Sequence, residues 1–182
     1  MQWLRYVIGL VVLLAGPALL AQSARSYVSG SVRLALPTGP LAESTDLGSA
    51  AQFDVRYSWS PSRRILLGIG GAWMTASMGN GLHRETWPLK GPLSITQITA
   101  TATWRPIKHG WSPYVGVEGG FGFLNPSIFE STLGAAYGAY IGTFIPLSER
   151  LDLSVSGRWL TLATSTPLNQ TLVSVELVYR IQ

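Results

Sequence analysis

The sequence predicts an all-β fold, an eight-stranded antiparallel up-and-down transmembrane β-barrel preceded by a cleavable signal peptide. Composition is the first reason, because 47% of the 182 residues are hydrophobic and only 12% are charged, too few for an ordinary water-exposed surface. The second reason is that apolar and polar residues alternate along most of the chain, as in strands with two different faces. The third is that long and short connections alternate, which is typical of barrels that cross a membrane.

Residues 1–24 are predicted to be a signal peptide. Arg5 precedes an apolar run at 6–20, and the small residues of 21–24 follow it, which is the order of parts in a secretory signal. A retained N-terminal anchor is the alternative, but the run is short for a bilayer span and contains a Gly-Pro pair. Residues 25–182 then form the barrel domain, and none of their apolar stretches is long enough for a transmembrane helix.

The first four strands are predicted from alternating side chains. At 28–36, Val and Leu alternate with Ser and Arg, and at 51–59 aromatic residues and Val alternate with Gln, Asp, Arg and Ser. Bulky residues alternate with small ones in the Gly-rich segment 65–74, and Thr alternates with Ala and Trp in 95–104. The period of two indicates strands, because successive side chains of a strand point to opposite faces.

The last four strands follow the same rule. At 114–123, Val and Phe alternate with Gly and Glu, and 135–145 is rich in Ala, Gly and Tyr. Leu and Val alternate with Asp and Ser in 151–161, and Val, Leu and Tyr alternate with Ser, Glu and Arg in 171–181. Because β-branched, aromatic and Gly residues dominate these segments, no amphipathic helix competes with the strands.

The connections between these strands are predicted to differ at the two rims of the barrel. Long connections are expected around 37–49, 75–92, 124–134 and 162–170. Shorter ones are expected around 60–64, 105–112 and 146–150. Since successive connections of an up-and-down barrel lie at opposite ends, we expect short periplasmic turns on one rim and long outer loops on the other.

The charged residues of the predicted strands share one face, which we assign to the barrel lumen. They are Arg33, Asp54, Arg56, Glu118, Asp152, Arg158, Glu176 and Arg180. We expect them to form a network of ion pairs, because a buried charge needs a partner and the lumen of an eight-stranded barrel just holds its side chains. The opposite face carries no charge and suits lipid, where a midplane Arg would cost about 2–4 kcal/mol.

Aromatic residues are predicted to form a girdle at each membrane surface, since Trp and Tyr favour the headgroup level. Those assigned to the short-turn end are Tyr57, Trp59, Trp104, Trp111, Tyr114, Phe144 and Tyr179. Those assigned to the long-loop end are Trp73, Phe123, Tyr137 and Trp159.

With alternating strands, unequal connections and a signal peptide, the chain resembles the small eight-stranded outer-membrane barrels of the OmpA, OmpX and opacity-protein type. The resemblance covers 25–182 and is one of architecture. It implies the outer membrane of a Gram-negative-type bacterium, with outer-membrane lipid and lipopolysaccharide as surroundings. It also implies assembly by the outer-membrane insertion machinery, which in this family reads an aromatic residue at the chain end. Here the last strand carries Tyr179 and ends in Ile181-Gln182.

Motifs for catalysis or ligand binding are scarce. His83 lies in a long connection without a serine motif, and His109 lies in a short turn on the other rim, so the two share no metal. The Gly-rich segments 68–71 and 119–122 lie within strands and lack the following helix of a phosphate loop. The chain has no Cys, which excludes disulfides and thiolate sites. We expect no enzyme activity, cofactor or metal.

The function expected is that of a non-enzymatic outer-membrane barrel that contributes to envelope integrity or presents surface loops to an external partner. Nucleic acid is not an expected partner, because the 13 basic and 9 acidic residues are dispersed rather than clustered. Three alternatives remain: a narrow pore or transport route, an outer-membrane lipid-modifying enzyme that would use His83, and a soluble periplasmic barrel with an apolar ligand cavity.

Overall fold

A computed structural model describes residues 25–45, 47–77, 92–107, 110–126 and 131–181. Its elements are β1 (Arg25–Thr38), α1 (Pro40–Thr45), β2 (Ala50–Ser62), β3 (Ile65–Ser77), β4 (Pro92–Trp104), β5 (Ser112–Pro126), β6 (Thr132–Pro146), β7 (Leu151–Ala163) and β8 (Leu168–Arg180). The predicted signal peptide, 1–24, lies outside the described residues.

The strands form one closed antiparallel barrel in the order of the sequence, from β1 to β8. Closure joins the first strand to the last, with Tyr27 paired to Arg180 at one end and Thr38 to Asn169 at the other. No strand edge is left open, so the backbone groups of every strand find partners within the barrel. The predicted fold class and all eight strands are confirmed.

The strands extend beyond their predicted ends at the long-loop rim, which corrects two of the predicted loops. β7 ends at Ala163 and β8 begins at Leu168, whereas β5 ends at Pro126 and β6 begins at Thr132. The reason is that the backbone hydrogen bonds between strands continue beyond the segments in which apolar and polar side chains alternate. The connections 39–49 and 78–91 stay long, and β2 turns into β3 at 63–64.

The outer surface of the barrel is apolar and uncharged along the strands, as predicted. Its exposed side chains include Val28, Val32, Leu34, Phe53, Val55, Ile69, Ile98, Val117, Phe121, Ile141, Val155, Val173, Val175 and Leu177. Such a surface would be unfavourable in water over this area and suits the hydrocarbon core of a bilayer. Among the described residues, no helix is long and apolar enough to span a membrane.

Candidate functional site: the lumen

Six charged side chains meet in the middle of the lumen, and we call them the charge belt. They are Arg33, Asp54, Arg56, Glu118, Arg158 and Glu176, and all are buried. Strands β1, β2, β5, β7 and β8 each contribute inward positions to this level. The belt holds three arginines against three carboxylates, so its formal charges cancel.

Four members of the belt form a closed cycle of ion pairs. Nitrogens of Arg56 lie 4.0 Å from Oε2 of Glu118 and 3.9 Å from Oε1 of Glu176. The corresponding distances from Arg158 are 3.3 Å to Glu118 and 3.6 Å to Glu176. Each arginine therefore contacts both glutamates, and each charge has two partners of opposite sign. Removal of one glutamate would leave two arginines short of a partner.

The remaining pair extends the cycle toward the outer end of the lumen. Nη2 of Arg33 lies 2.8 Å from Oδ1 of Asp54, and the same oxygen lies 3.5 Å from Nη2 of Arg56. Arg33 also donates from Nη1 to the side-chain oxygen of Gln52 at 3.4 Å. Gln52 in turn donates to Gln97 at 3.1 Å, so polar contacts continue from β1 across to β4.

Small hydroxyl side chains and an aromatic ring support the belt from the barrel wall. Ser29 donates to Oε1 of Glu176 at 2.5 Å, and Ser31 donates to Asp54 at 3.4 Å. The guanidinium of Arg158 stacks 4.4 Å from the centre of the Tyr140 ring. These contacts supply hydrogen bonds and cation–π attraction that a buried ion pair needs to offset the loss of water.

Asp152 and Arg180, which the sequence placed in the same network, lie apart from the belt at the short-turn end. Arg180 donates from Nη1 to the Glu149 backbone carbonyl at 3.0 Å and faces the Tyr27 ring at 6.0 Å. Asp152 is buried and attracts Arg105, which lies in the turn after β4. Burial lowers the pKa of Arg105, and the Asp152 carboxylate opposes that shift. The two residues are separated from the belt because Asp152 lies at the start of β7 and Arg180 at the end of β8.

An apolar layer closes the lumen on the outer side of the belt, and sequence reasoning missed it. Its buried members are Ala35, Ala42, Leu47, Ala50, Met74, Ala76, Leu93, Ile95, Leu124, Ala136, Leu160, Leu162, Leu168 and Leu172. A signal was present, because the inward positions of β7 continue from Arg158 to Leu160 and Leu162. At this end Trp159 faces outward and Leu160 and Leu162 face inward. Because all three are apolar, the two faces look alike in the sequence.

The first outer loop covers this apolar layer. Helix α1 turns inward after Gly39, whose positive φ of 87° favours glycine. Leu41 packs against the layer and its backbone N–H donates to the Pro167 carbonyl at 3.4 Å. Leu47 is buried in the layer, and its N–H donates to the Ala42 carbonyl at 3.0 Å. Part of the loop between β1 and β2 therefore packs onto the apolar layer.

A mainly aromatic layer packs inside the lumen on the short-turn side. It consists of Tyr27, Tyr114, Tyr140, Phe144 and Val178, all buried. The assignment of Tyr114 and Phe144 to the lipid-facing girdle is therefore wrong: the parity of β5 and β6 turns both rings inward, with centres 4.5 Å apart.

Space for the large rings comes from glycine on the neighbouring strand. A methyl group at Gly116 would overlap the ring of Tyr140, which faces it in register. Similarly, a methyl group at Gly122 would meet the side chain of Leu162. Gly116 and Gly122 thus make room for bulky inward side chains of nearby strands.

One cavity of about 30 Å³ lies beside the belt, lined among others by Arg56, Thr101, Tyr140 and Glu176. A volume of this size holds about two water molecules. Both histidines, His83 and His109, lie outside the described residues. Within the described segments, no three His, Cys, Asp or Glu side chains converge in a way that could hold a metal ion.

Comparison with known proteins supports the fold. No protein-family model matches the sequence, and no curated protein matches it. Among solved structures, Neisserial surface protein A is similar, with a TM-score of 0.60 and 14% identity over 88% of this chain and 100% of that one.

The outer membrane protein OprG of Pseudomonas aeruginosa is similar as well, with a TM-score of 0.54 and 10% identity. That match covers 87% of this chain and 96% of OprG. The predicted location in an outer membrane agrees with this fold and with the uncharged apolar exterior. The chain therefore has the architecture of the small eight-stranded outer-membrane β-barrels.

Proposed function

We propose that this chain is a non-enzymatic integral outer-membrane protein with a closed lumen, which contributes to envelope integrity or presents its outer loops to a partner. One observation carries the proposal: three successive layers fill the lumen, and they are apolar, charged and aromatic in turn. Outer-membrane lipid and lipopolysaccharide would surround it, and the outer-membrane insertion machinery would assemble it.

The filled lumen argues against the pore alternative. A solute would have to displace Leu41 and Leu47 from the apolar layer and then open the cycle around Arg56. Breaking one buried ion pair alone costs about 3–5 kcal/mol when a partner is left uncompensated. The soluble ligand-binding barrel is disfavoured too, because the charged face lies inside and the apolar face outside.

Conductance in a planar bilayer tests the closed lumen. The refolded protein is expected to give currents indistinguishable from those of a protein-free membrane, with a general porin as the positive control. Stepwise openings in the wild-type chain, more frequent when Arg56 is replaced by Ala, would overturn the proposal in favour of a pore through the belt.

Lipid turnover tests the absence of enzyme activity. The protein in vesicles that contain lipopolysaccharide and phospholipid is expected to release no acyl chain above the protein-free rate. Turnover that disappears in a His83→Ala variant would establish the lipid-modifying alternative instead.

Loop presentation and envelope integrity are separable in cells. In a strain that lacks the chain, a variant with the 78–91 connection shortened is expected to restore the barrier to a hydrophobic dye if integrity is the role. If the shortened variant loses surface binding while the wild-type chain keeps it, binding of an external partner is favoured. A strain whose barrier and surface binding are unaffected by deletion would contradict both roles.

A further inference from the structure

The short-turn rim of the barrel is rich in arginine, and we call this set the basic collar. It consists of Arg25, Arg63, Arg64, Arg105, Arg150 and Arg180, which lie at the start of β1, in the three turns and at the end of β8. The carboxylates at the same end are Glu149 and Asp152, and Asp152 is buried. Among the described residues, this rim therefore carries a clear positive excess.

Much of the collar is not neutralised by the protein itself. The side chains of Arg25, Arg63, Arg64 and Arg150 are exposed, and none forms a salt bridge with another described residue. Four guanidinium groups on one rim are thus free to bind an anion, and their fork of donors suits phosphate.

Exposed apolar side chains share this rim with the arginines. In the turns, Trp111 is 71% exposed, Leu147 is 54% exposed and Ile107 is 51% exposed, and Ile181 follows β8. Large apolar groups beside free cations are unfavourable in bulk water but typical of a surface that lies against lipid headgroups.

The aromatic residues below the turns place the collar at headgroup depth. Tyr57 and Trp59 stack on the outer face of β2, and Trp104 and Tyr179 are exposed near the ends of β4 and β8. Rings of this kind settle at the membrane interface. An arginine side chain just beyond such rings is long enough to reach the phosphate level while its apolar stem covers neighbouring apolar surface.

We propose that the basic collar binds the phosphate groups of anionic phospholipids in the leaflet that the short turns reach, in preference to zwitterionic lipids. This inference rests on the proposed function, in which the chain spans an outer membrane with its short turns toward the periplasm. Each Arg near an anionic surface adds an attraction of about 1 kcal/mol, so several together produce measurable selection of a headgroup.

Quenching of Trp fluorescence by brominated lipids tests the preference. The reporter is the mature chain with Trp73, Trp87 and Trp159 changed to Phe, so that Trp59, Trp104 and Trp111 near the collar emit. It is reconstituted in phosphatidylcholine with either brominated phosphatidylglycerol or brominated phosphatidylcholine. We expect phosphatidylglycerol to associate about three-fold or more strongly at low salt, and this ratio to approach one at high salt.

Matched variants assign the effect to the collar. Combined Arg63→Gln, Arg64→Gln and Arg150→Gln changes are expected to bring the ratio close to one, whereas Lys at the same positions should retain most of it. Glu149→Gln removes a negative charge from the same rim and should raise the ratio. Equal association of both lipids with the wild-type chain, or a preference unchanged in the Gln variant, would overturn the proposal.

The failure of this inference is distinguishable from failure of the proposed function. Every variant is first shown to be a folded barrel by its heat-dependent mobility on a gel. A folded, non-conducting barrel without lipid preference would reject the collar alone, whereas a conducting barrel that selects phosphatidylglycerol would reject only the closed lumen.

Discussion

Arg158 on β7 and Glu118 on β5 lie 3.3 Å apart across the strand that separates them. The intervening strand β6 contributes Gly138 at the position paired with Glu118, which leaves no side chain there between the two charges. Arg158 is held from the other side by Tyr140, the residue of β6 with which it is in register. This ion pair thus connects β5 and β7, the two strands that flank β6.

Loss of Glu118 should destabilise the barrel strongly. Glu118→Ala removes one of two carboxylate partners from both Arg158 and Arg56, and we expect the free energy of unfolding to fall by about 3–5 kcal/mol. Urea unfolding in detergent micelles measures it. Glu149→Ala in an exposed turn is the control and should change stability by less than about 0.5 kcal/mol. Equal midpoints for the two variants would refute a structural role for the belt.

Removing both charges of a pair should destabilise the barrel less than removing one of them. In Glu118→Leu combined with Arg158→Met, no charge of that pair is left uncompensated, so the variant should be more stable than Glu118→Ala. The same unfolding experiment compares them. If the double variant is the less stable of the two, the contact contributes more than its desolvation costs.

Two Gly→Ala changes separate lumen packing from backbone propensity. At Gly116 a methyl group overlaps Tyr140, so Gly116→Ala is expected to reduce stability by about 1–3 kcal/mol. At Gly30 a methyl group meets nothing within 4 Å, so Gly30→Ala should be neutral or slightly stabilising. Thermal unfolding of both variants decides the matter, and a neutral Gly116→Ala would mean that the aromatic layer is loosely packed.

A charge on the outer face should be tolerated only near the rim. Val55 is 65% exposed midway along β2, and Val55→Arg is expected to cost about 2–4 kcal/mol in a bilayer. Ile65 begins β3 at the short-turn end, and Ile65→Arg should cost about 0–1 kcal/mol. Reversible folding into phospholipid vesicles measures both. Equal effects would contradict the assignment of this face to lipid.

The apolar layer should contribute to stability as a protein core does. Leu172 is fully buried in it, and Leu172→Ala is expected to lower the free energy of unfolding by about 2–5 kcal/mol. Leu147 in an exposed turn serves as the control, with little change on substitution by Ala. If the two changes have the same effect, the outer mouth is open to water rather than packed.

The alternation of side chains was enough to identify the strands and their faces. Ser156, Arg158 and Glu176 point inward and Val155 and Val175 outward, as the period of two requires of any strand. The sequence also brought the six belt residues to one face. The prediction for Tyr114 and Phe144 was wrong because it relied on the preference of aromatic rings for the membrane interface. The alternation of side chains along β5 and β6 turns both rings inward.

What the sequence alone determined is local: where strands run, which side of each meets lipid, and that the lumen must hold balanced charge. Only the tertiary structure decided that Arg56 and Arg158 share two glutamates, that Leu41 packs against the apolar layer and that Asp152 stands apart. The physical reason is register. Sliding a strand along its neighbour by two residues keeps every face but changes every partner, so cross-barrel contacts depend on how the closed sheet is staggered.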